Sequence, residues 1–152
     1  MGVTMKINRI VIYKEKNKKA MVVKSAQLVE NKGLEGDRFA RGGEKQVSIM
    51  DKKLLDIMDK QSEKFSGCTN KIKANIVTEG CRVAGLRIGD RMIIGETELE
   101  ITEDMRSCSE ECQILKDGIS CPIRYGTIFA KIIKGGEIHD TDPVSVKMKI
   151  TG

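Results

Sequence analysis

The sequence predicts a mainly β fold, a barrel or sandwich carrying a few short helices. Apolar runs recur as short strand-like segments, and turn signals separate them at roughly ten-residue spacing, the pattern of all-β domains. At 152 residues the chain is long enough for one proper core without disulfides. No internal repeat, low-complexity tract or linker divides it, so residues 1–152 read as a single domain.

Met5 to Tyr13 and Ala20 to Leu28 read as strands, joined by a charged turn around Lys16 to Lys19. Gly33 to Gly43 is a glycine-punctuated loop, after which Gln46 to Met50 regains strand character. In Asp51 to Gln61, Leu54, Leu55 and Met58 fall on one helical face, with Asp51 placed to cap the N-terminus. Lys71 to Val77 alternates as a short strand, and Leu86 to Asp90 forms a turn. Met92 to Ile94 and Leu99 to Ile101 flank Gly95-Glu96, which suits a tight hairpin. A short helix is expected next, over the cysteine segment, ending at Asp117-Gly118 with the glycine as C-cap. Ile128 to Ile133 and Val144 to Ile150 are the closing strands, separated by Gly135-Gly136 and Asp142-Pro143.

The net charge of +5 comes from scattered lysines rather than one basic block. The densest run, Lys14 to Lys19, is interrupted by Glu15 and Asn17 and reads as a solvated turn. Two tyrosines, three phenylalanines and no tryptophan leave no platform for stacking bases, so no nucleic-acid partner is expected. No stretch is long enough to span a membrane, and the N-terminus lacks the apolar region of a secretory signal. An odd count of five cysteines without an export signal implies reduced thiols and a cytoplasmic location.

Three of those cysteines, Cys108, Cys112 and Cys121, cluster directly after an apparent strand. A thiolate is a soft nucleophile and a soft metal ligand, so the cluster points to sulfur handling or a soft-metal cofactor more than to hydrolysis. On a helix beginning near Cys108, Cys108 and Cys112 share one face, where first-turn N–H groups and Arg106 would favour the thiolate. A structural zinc site needs four ligands; the C-x3-C-x8-C spacing supplies three, and His139 is remote. A reversible Cys108–Cys112 disulfide, the basis of a thiol redox module, would need an irregular backbone, because helical i,i+4 positions stand near the upper limit for bridging. Cys81 reads as a small buried hydrophobe, Cys68 as an exposed bystander, and His139 as a surface residue.

The loop Gly33-Leu-Glu-Gly36-Asp37-Arg38-Phe39-Ala-Arg41-Gly42-Gly43 gathers four glycines, two arginines and two carboxylates. Its glycines permit tight turns or close approach to a ligand, and Arg38 and Arg41 can hold a phosphate or carboxylate through paired N–H donors. The Gly-Lys-Ser/Thr ending of a nucleotide-binding phosphate loop is missing. An ordinary β-turn with surface charges is the plain alternative. Asn75-Ile-Val-Thr78-Glu79-Gly80 and Gly89-Asp90-Arg91 are composed of turn formers whose side chains bond nearby backbone. Glu79 and Asp37 would make an acid–base pair only if the fold brought them together.

Taken in order, these segments resemble the MOSC family, the domain named for the C-terminal region of molybdenum-cofactor sulfurases. The carrying residues are Gly33-Leu-Glu-Gly-Asp-Arg38, Gln46-Val-Ser48, Asn75-Ile-Val-Thr-Glu-Gly80, Ile88-Gly-Asp-Arg91, Leu99-Glu-Ile-Thr102 and the run from Cys108 through Cys121-Pro to Gly135-Gly136. Small stand-alone bacterial members are the nearest in pattern. The resemblance implies a β-barrel with peripheral short helices and a cleft for a pterin-type molybdenum cofactor (molybdopterin) or for carried sulfur. It also implies that a cysteine ligates the metal or holds a persulfide, with Cys112 ranked first, Cys108 second and Cys121 third. Gly36, Asp37, Arg38 and Arg41 would meet the cofactor's phosphate end, and Asn75, Thr78 and Glu79 would line or shape the cleft. The implied partners are a sulfur donor such as a cysteine desulfurase and an acceptor molybdoenzyme. An alternative is a molybdenum-dependent reductase of N-hydroxylated compounds. One departure stands out: the family loop commonly reads Gly-Asp-x-His, and Phe39 occupies the histidine position.

Overall fold

The computed structural model describes residues 5–14, 20–38, 40–43, 45–53, 56, 74–80, 86–103 and 127–147. Their strands, in chain order, are β1 (Lys6–Ile12), β2 (Met21–Val23), β3 (Ser25–Val29), β4 (Gly33–Leu34), β5 (Val47–Asp51), β6 (Ile76–Glu79), β7 (Arg91–Ile94), β8 (Thr97–Glu103), β9 (Thr127–Lys134), β10 (Gly136–His139) and β11 (Val144–Lys147). Eight of them form one sheet in the order β11-β7-β8-β9-β5-β6-β1-β2, and β10-β3-β4 form a second. The fold is mainly β, as the short strand-like runs and regularly spaced turn signals predict.

β5 and β6 are parallel neighbours, with Ile49 opposite Ile76 and Asp51 opposite Thr78. Parallel strands need a crossover connection, usually helical. Lys52, Lys53 and Asp56 are helical, and Asp51 Oδ1 accepts a hydrogen bond from the Lys53 amide at 3.1 Å, the cap expected from the sequence. The rest of that expected helix and the helix over the cysteine segment lie outside the described residues.

The eight-stranded ladder does not run on continuously into a barrel. One short seam joins the start of β11, at one end, to the start of β1, next to the other end: Lys6 bridges Pro143, the Ile7 amide donates to Asp142 O at 2.9 Å, and the Val144 amide donates to Met5 O at 2.9 Å. The barrel implied by the resemblance is therefore, among the described residues, an open sheet in which β11 touches β1 along this seam.

Two details depart from the sequence expectation. The run from Ala20 to Leu28 is not one strand. It breaks at Lys24, so that β2 pairs with β1 while β3 pairs with β10 in the second sheet. The Lys24 carbonyl, freed from either ladder, accepts the Asp140 amide at 2.8 Å. Likewise a further strand, β10, begins at Gly136, with Gly135 at the corner between it and β9. A Cβ on Gly135 would stand 2.6 Å from the Leu28 carbonyl oxygen, so only glycine lets the two sheets approach so closely there.

Burial follows the layering. β8 alternates buried and half-buried residues, as a strand with one apolar face does, whereas β5 and β6 are buried along nearly their whole length. Ile10, Ile49, Ile76, Leu99, Ile101 and Ile132 meet in a single core. Among the buried residues in and just before these strands, Ser48, Asn75 and Thr78 are polar, and Asn75 meets the glycine-rich loop at Asp37.

Candidate functional site

The loop between β4 and β5 is anchored at both ends by its own sequence. Gly33 has φ 145°, and a Cβ there would meet Gln46 O at 2.5 Å and the Ala40 Cα at 2.9 Å, so the loop's base is closed against itself. Leu34 is fully buried and nails the entry to the core. At the exit, the Gln46 side chain donates to Gly43 O at 2.9 Å and accepts from the Ile132 amide at 2.9 Å, tying the loop to β9. Gly36, Gly42 and Gly43 all take positive φ, which lets the backbone turn around Asp37 to Arg41.

A buried hydrogen-bond knot lies beneath this loop. Asp37 is 7 % exposed and Asn75 is 1 % exposed, so each polar atom must find a partner inside the protein. Asn75 Nδ2 donates to Asp37 Oδ1 at 3.0 Å and to Val11 O at 3.2 Å. Asn75 Oδ1 accepts from the Ser48 amide at 3.1 Å and from Ser48 Oγ at 3.2 Å. The Tyr13 amide also donates to Asp37 Oδ1, at 2.8 Å, and Tyr13 O in turn accepts the Arg38 amide at 2.7 Å. Four sequence-distant segments, at Tyr13, at Asp37-Arg38, at Ser48 and at Asn75, are thus locked into one unit.

The two arginines sit differently on it. Arg38 is half-buried, with its Nη1 atom out of solvent, while Arg41 is exposed. Arg38 follows the anchored Asp37 directly, so its backbone inherits the rigidity of the knot. Lys45 lies beyond, paired with Glu103 at 3.6 Å and standing 5.2 Å over the Phe129 ring.

The other expected site residues are placed elsewhere. Thr78 is fully buried two residues past Ile76, with Oγ1 against Met50 O at 3.5 Å. Glu79 ends β6 and pairs with Lys6 at 3.4 Å. It lies four residues beyond Asn75 along an extended segment, about 13 Å by the rise per residue, and also accepts from Asn8 Nδ2 at 3.5 Å. Cys108, Cys112, Cys121 and Phe39 lie outside the described residues. His139 is exposed at the end of β10, as its sequence context predicts, bonding Glu137 at 2.6 Å.

Tyr13 is the residue sequence reasoning missed. Its phenol reaches Ala74 O at 3.5 Å while its backbone clamps Asp37 and Arg38. Burial, and secondarily the Asp37 carboxylate, push the phenol's pKa above its ordinary 10.0, although the bond to Ala74 works against this. Ser48 was also detectable: a hydroxyl inside the apolar run Val47 to Met50 needs a buried partner.

The donor set of this loop fits a phosphate. Two guanidiniums offer forked N–H groups, and at Gly43 even an added Cβ would meet nothing within 4 Å. Among the described residues no three His, Cys, Asp or Glu side chains gather to hold a metal ion. Nor does any described helix have the length and apolarity to cross a membrane.

The MOSC domain model matches residues 36–145, beginning at Gly36 of the anchored loop. No curated protein matches the chain significantly. Among solved structures, the YuaD protein of Bacillus subtilis superposes with TM-score 0.70 at 16 % identity, covering 97 % of this chain and 98 % of that one. YiiM of Escherichia coli gives 0.62 at 17 % identity, over 97 % of this chain and 72 % of its own. YiiM of Geobacillus stearothermophilus gives 0.60 at 13 % identity, over 93 % and 74 %. At such identities the likeness is one of fold, while the match over residues 36–145 carries the assignment: the chain belongs to the MOSC domain family.

Proposed function

We propose that this domain binds the molybdenum cofactor through its phosphate end, or carries sulfur at Cys112, and delivers its cargo to an acceptor molybdoenzyme. The observation that carries the reading is the braced arginine-glycine loop. A phosphate needs convergent donors held in place before it arrives, because ordering long side chains on binding costs free energy. Arg38 and Arg41 supply the charge, and the buried knot supplies the order. The family association with the molybdenum cofactor matches a ligand of this kind. When bound, that cofactor supplies a metal centre for oxygen- or sulfur-atom chemistry.

Cys112 is assigned as the thiol that meets the metal or holds the sulfur. As a carrier, its thiolate would attack the outer sulfur of a persulfide on the donor protein. The new S–S bond forms as the donor's S–S bond breaks, and the donor cysteine leaves as thiolate, so the exchange needs no external oxidant. We further propose that the seam at Lys6 and Pro143 closes the sheet into the family's barrel.

The test is sulfur and molybdenum loading of the wild type beside Cys112→Ala. Loading lost in the variant with its fold intact supports the assignment, and unchanged loading removes Cys112 from it. Reduction of N-hydroxylated compounds by loaded protein, given a separate reductase, would shift the reading from carrier to enzyme.

A further inference from the structure

Asn75 has no hydrogen-bonding capacity left for a ligand. A carboxamide offers two N–H donors and two acceptor lone pairs. Here both donors are used, on Val11 O and Asp37 Oδ1, and both lone pairs are used, by the Ser48 amide and Ser48 Oγ. The amide cannot flip, because its NH2 would then face the Ser48 N–H and its oxygen the Val11 carbonyl. A saturated, 1 % exposed side chain can act on a ligand only through its neighbours.

Those neighbours lead to one place. Asn75 holds Asp37 Oδ1, which also holds the Tyr13 amide; Tyr13 O then holds the Arg38 amide at 2.7 Å. We propose that Asn75 is a positioning residue that fixes the backbone of Arg38 through Asp37 and Tyr13, and so presents its guanidinium to a phosphate-bearing ligand that Asn75 never touches. The inference rests on the phosphate reading of the loop given above, and it assigns Asn75 a role distinct from lining the cleft.

Replacing Asn75 by aspartate tests the chain of bonds at its origin. The carboxylate has no N–H for Val11 O, and it would set a like charge against Asp37 at hydrogen-bond distance. Two readouts follow, amide hydrogen exchange and binding of inorganic pyrophosphate, both on 15N-labelled full-length protein. In Asn75→Asp the Tyr13 and Arg38 amides should exchange about tenfold faster relative to the Ile101 amide, which bonds Asp90 O in a distant part of the sheet. Pyrophosphate affinity should fall about tenfold, a loss of about 1.4 kcal/mol. Asp37→Asn keeps one oxygen for both donors and should retain the protection of Arg38.

In the wild type, needing no substitution, pyrophosphate should shift the Arg38 Nε–H resonance and leave the Asn75 side-chain NH2 resonances in place. Uniform acceleration of all amides in Asn75→Asp would overturn the positioning role and leave Asn75 a residue of general stability. Movement of the Asn75 NH2 resonances as large as that of Arg38 would make it a direct ligand and overturn the proposal from the other side. Failure of the wild type to bind pyrophosphate would overturn the phosphate reading and the ligand half of this inference, while the exchange pattern would still decide the half concerning Arg38.

Discussion

The side-chain amide of Asn75 donates to the carboxylate of Asp37 across 3.0 Å, joining residues 38 apart in sequence at the point where loop and sheet meet. Removing it takes one bond each from the Val11 carbonyl, the Ser48 amide and the Asp37 carboxylate, which keeps the Tyr13 amide. With roughly 1–3 kcal/mol lost per buried group left unsatisfied, and partial relaxation, Asn75→Ala should destabilise the domain by about 3 kcal/mol. Thr78→Val, whose hydroxyl makes one long contact, should cost about 1 kcal/mol or less. Urea unfolding of the two variants beside wild type measures both; equal losses would show that the knot adds nothing beyond burial.

Two glycines of the same loop separate packing from backbone strain. Both have positive φ, but a Cβ on Gly33 meets the Gln46 carbonyl oxygen at 2.5 Å, and a Cβ on Gly43 meets nothing within 4 Å. Gly43→Ala should therefore cost only the left-handed penalty of about 1–2 kcal/mol. Gly33→Ala should cost clearly more, since backbone must move to admit it. Thermal melts of the pair check the order, and a Gly33→Ala variant as stable as Gly43→Ala would contradict it.

Tyr13 links stability to pH on the alkaline side. Burial raises its folded-state pKa above 10.0, so in the window from 10.0 upward the folded form keeps a proton that the unfolded chain has lost. The contribution is fully present below pH 10.0 and falls away as pH rises through the folded value. Tyr13→Phe should flatten this part of the alkaline decline, as read from denaturant midpoints between neutral and strongly alkaline pH. An identical decline in the variant would assign it to other groups.

Arg41 is exposed on the loop, so its removal separates ligand binding from folding. Arg41→Ala should change stability by no more than about 0.5 kcal/mol, the usual range for surface substitutions. Pyrophosphate affinity should nevertheless fall about tenfold, as expected for loss of a charge-assisted pair worth about 1.4 kcal/mol. Calorimetric titration beside a thermal melt gives both values, and retained affinity would remove Arg41 from the site.

Much of the sheet was legible because its signals are local. Alternation in Met5 to Tyr13, the apolar run at Gln46 to Met50 and the Gly95-Glu96 connection each locate an element without knowledge of its neighbours. Gly95, with φ 57° at the first loop position, is the kind of turn residue a two-residue hairpin demands. The break at Lys24 and the strand β10 were not legible, since both depend on which sheet the chain joins.

The site divides the same way. The glycines and arginines of the loop announce themselves by composition. The knot does not, because Asn75, Asp37 and Ser48 are ordinary turn and surface residues in sequence. Only the placing of β6 between β1 and β5 brings Asn75 within reach of Val11, Ser48 and the loop at once. Polar residues embedded in apolar runs, Ser48 in Val47 to Met50 and Asn75 before Ile76-Val77, are the trace that such a knot leaves.

The measurement that bears most directly on the account is molybdenum retained per chain after anaerobic incubation with released cofactor, on wild type, Arg38→Ala and Cys112→Ala in parallel. Stoichiometric retention by the wild type and loss in both variants are expected, because one removes the phosphate-end donor and the other the assigned thiol. Equal retention by all three proteins would contradict both residue assignments, and no retention by the wild type would contradict cofactor binding itself.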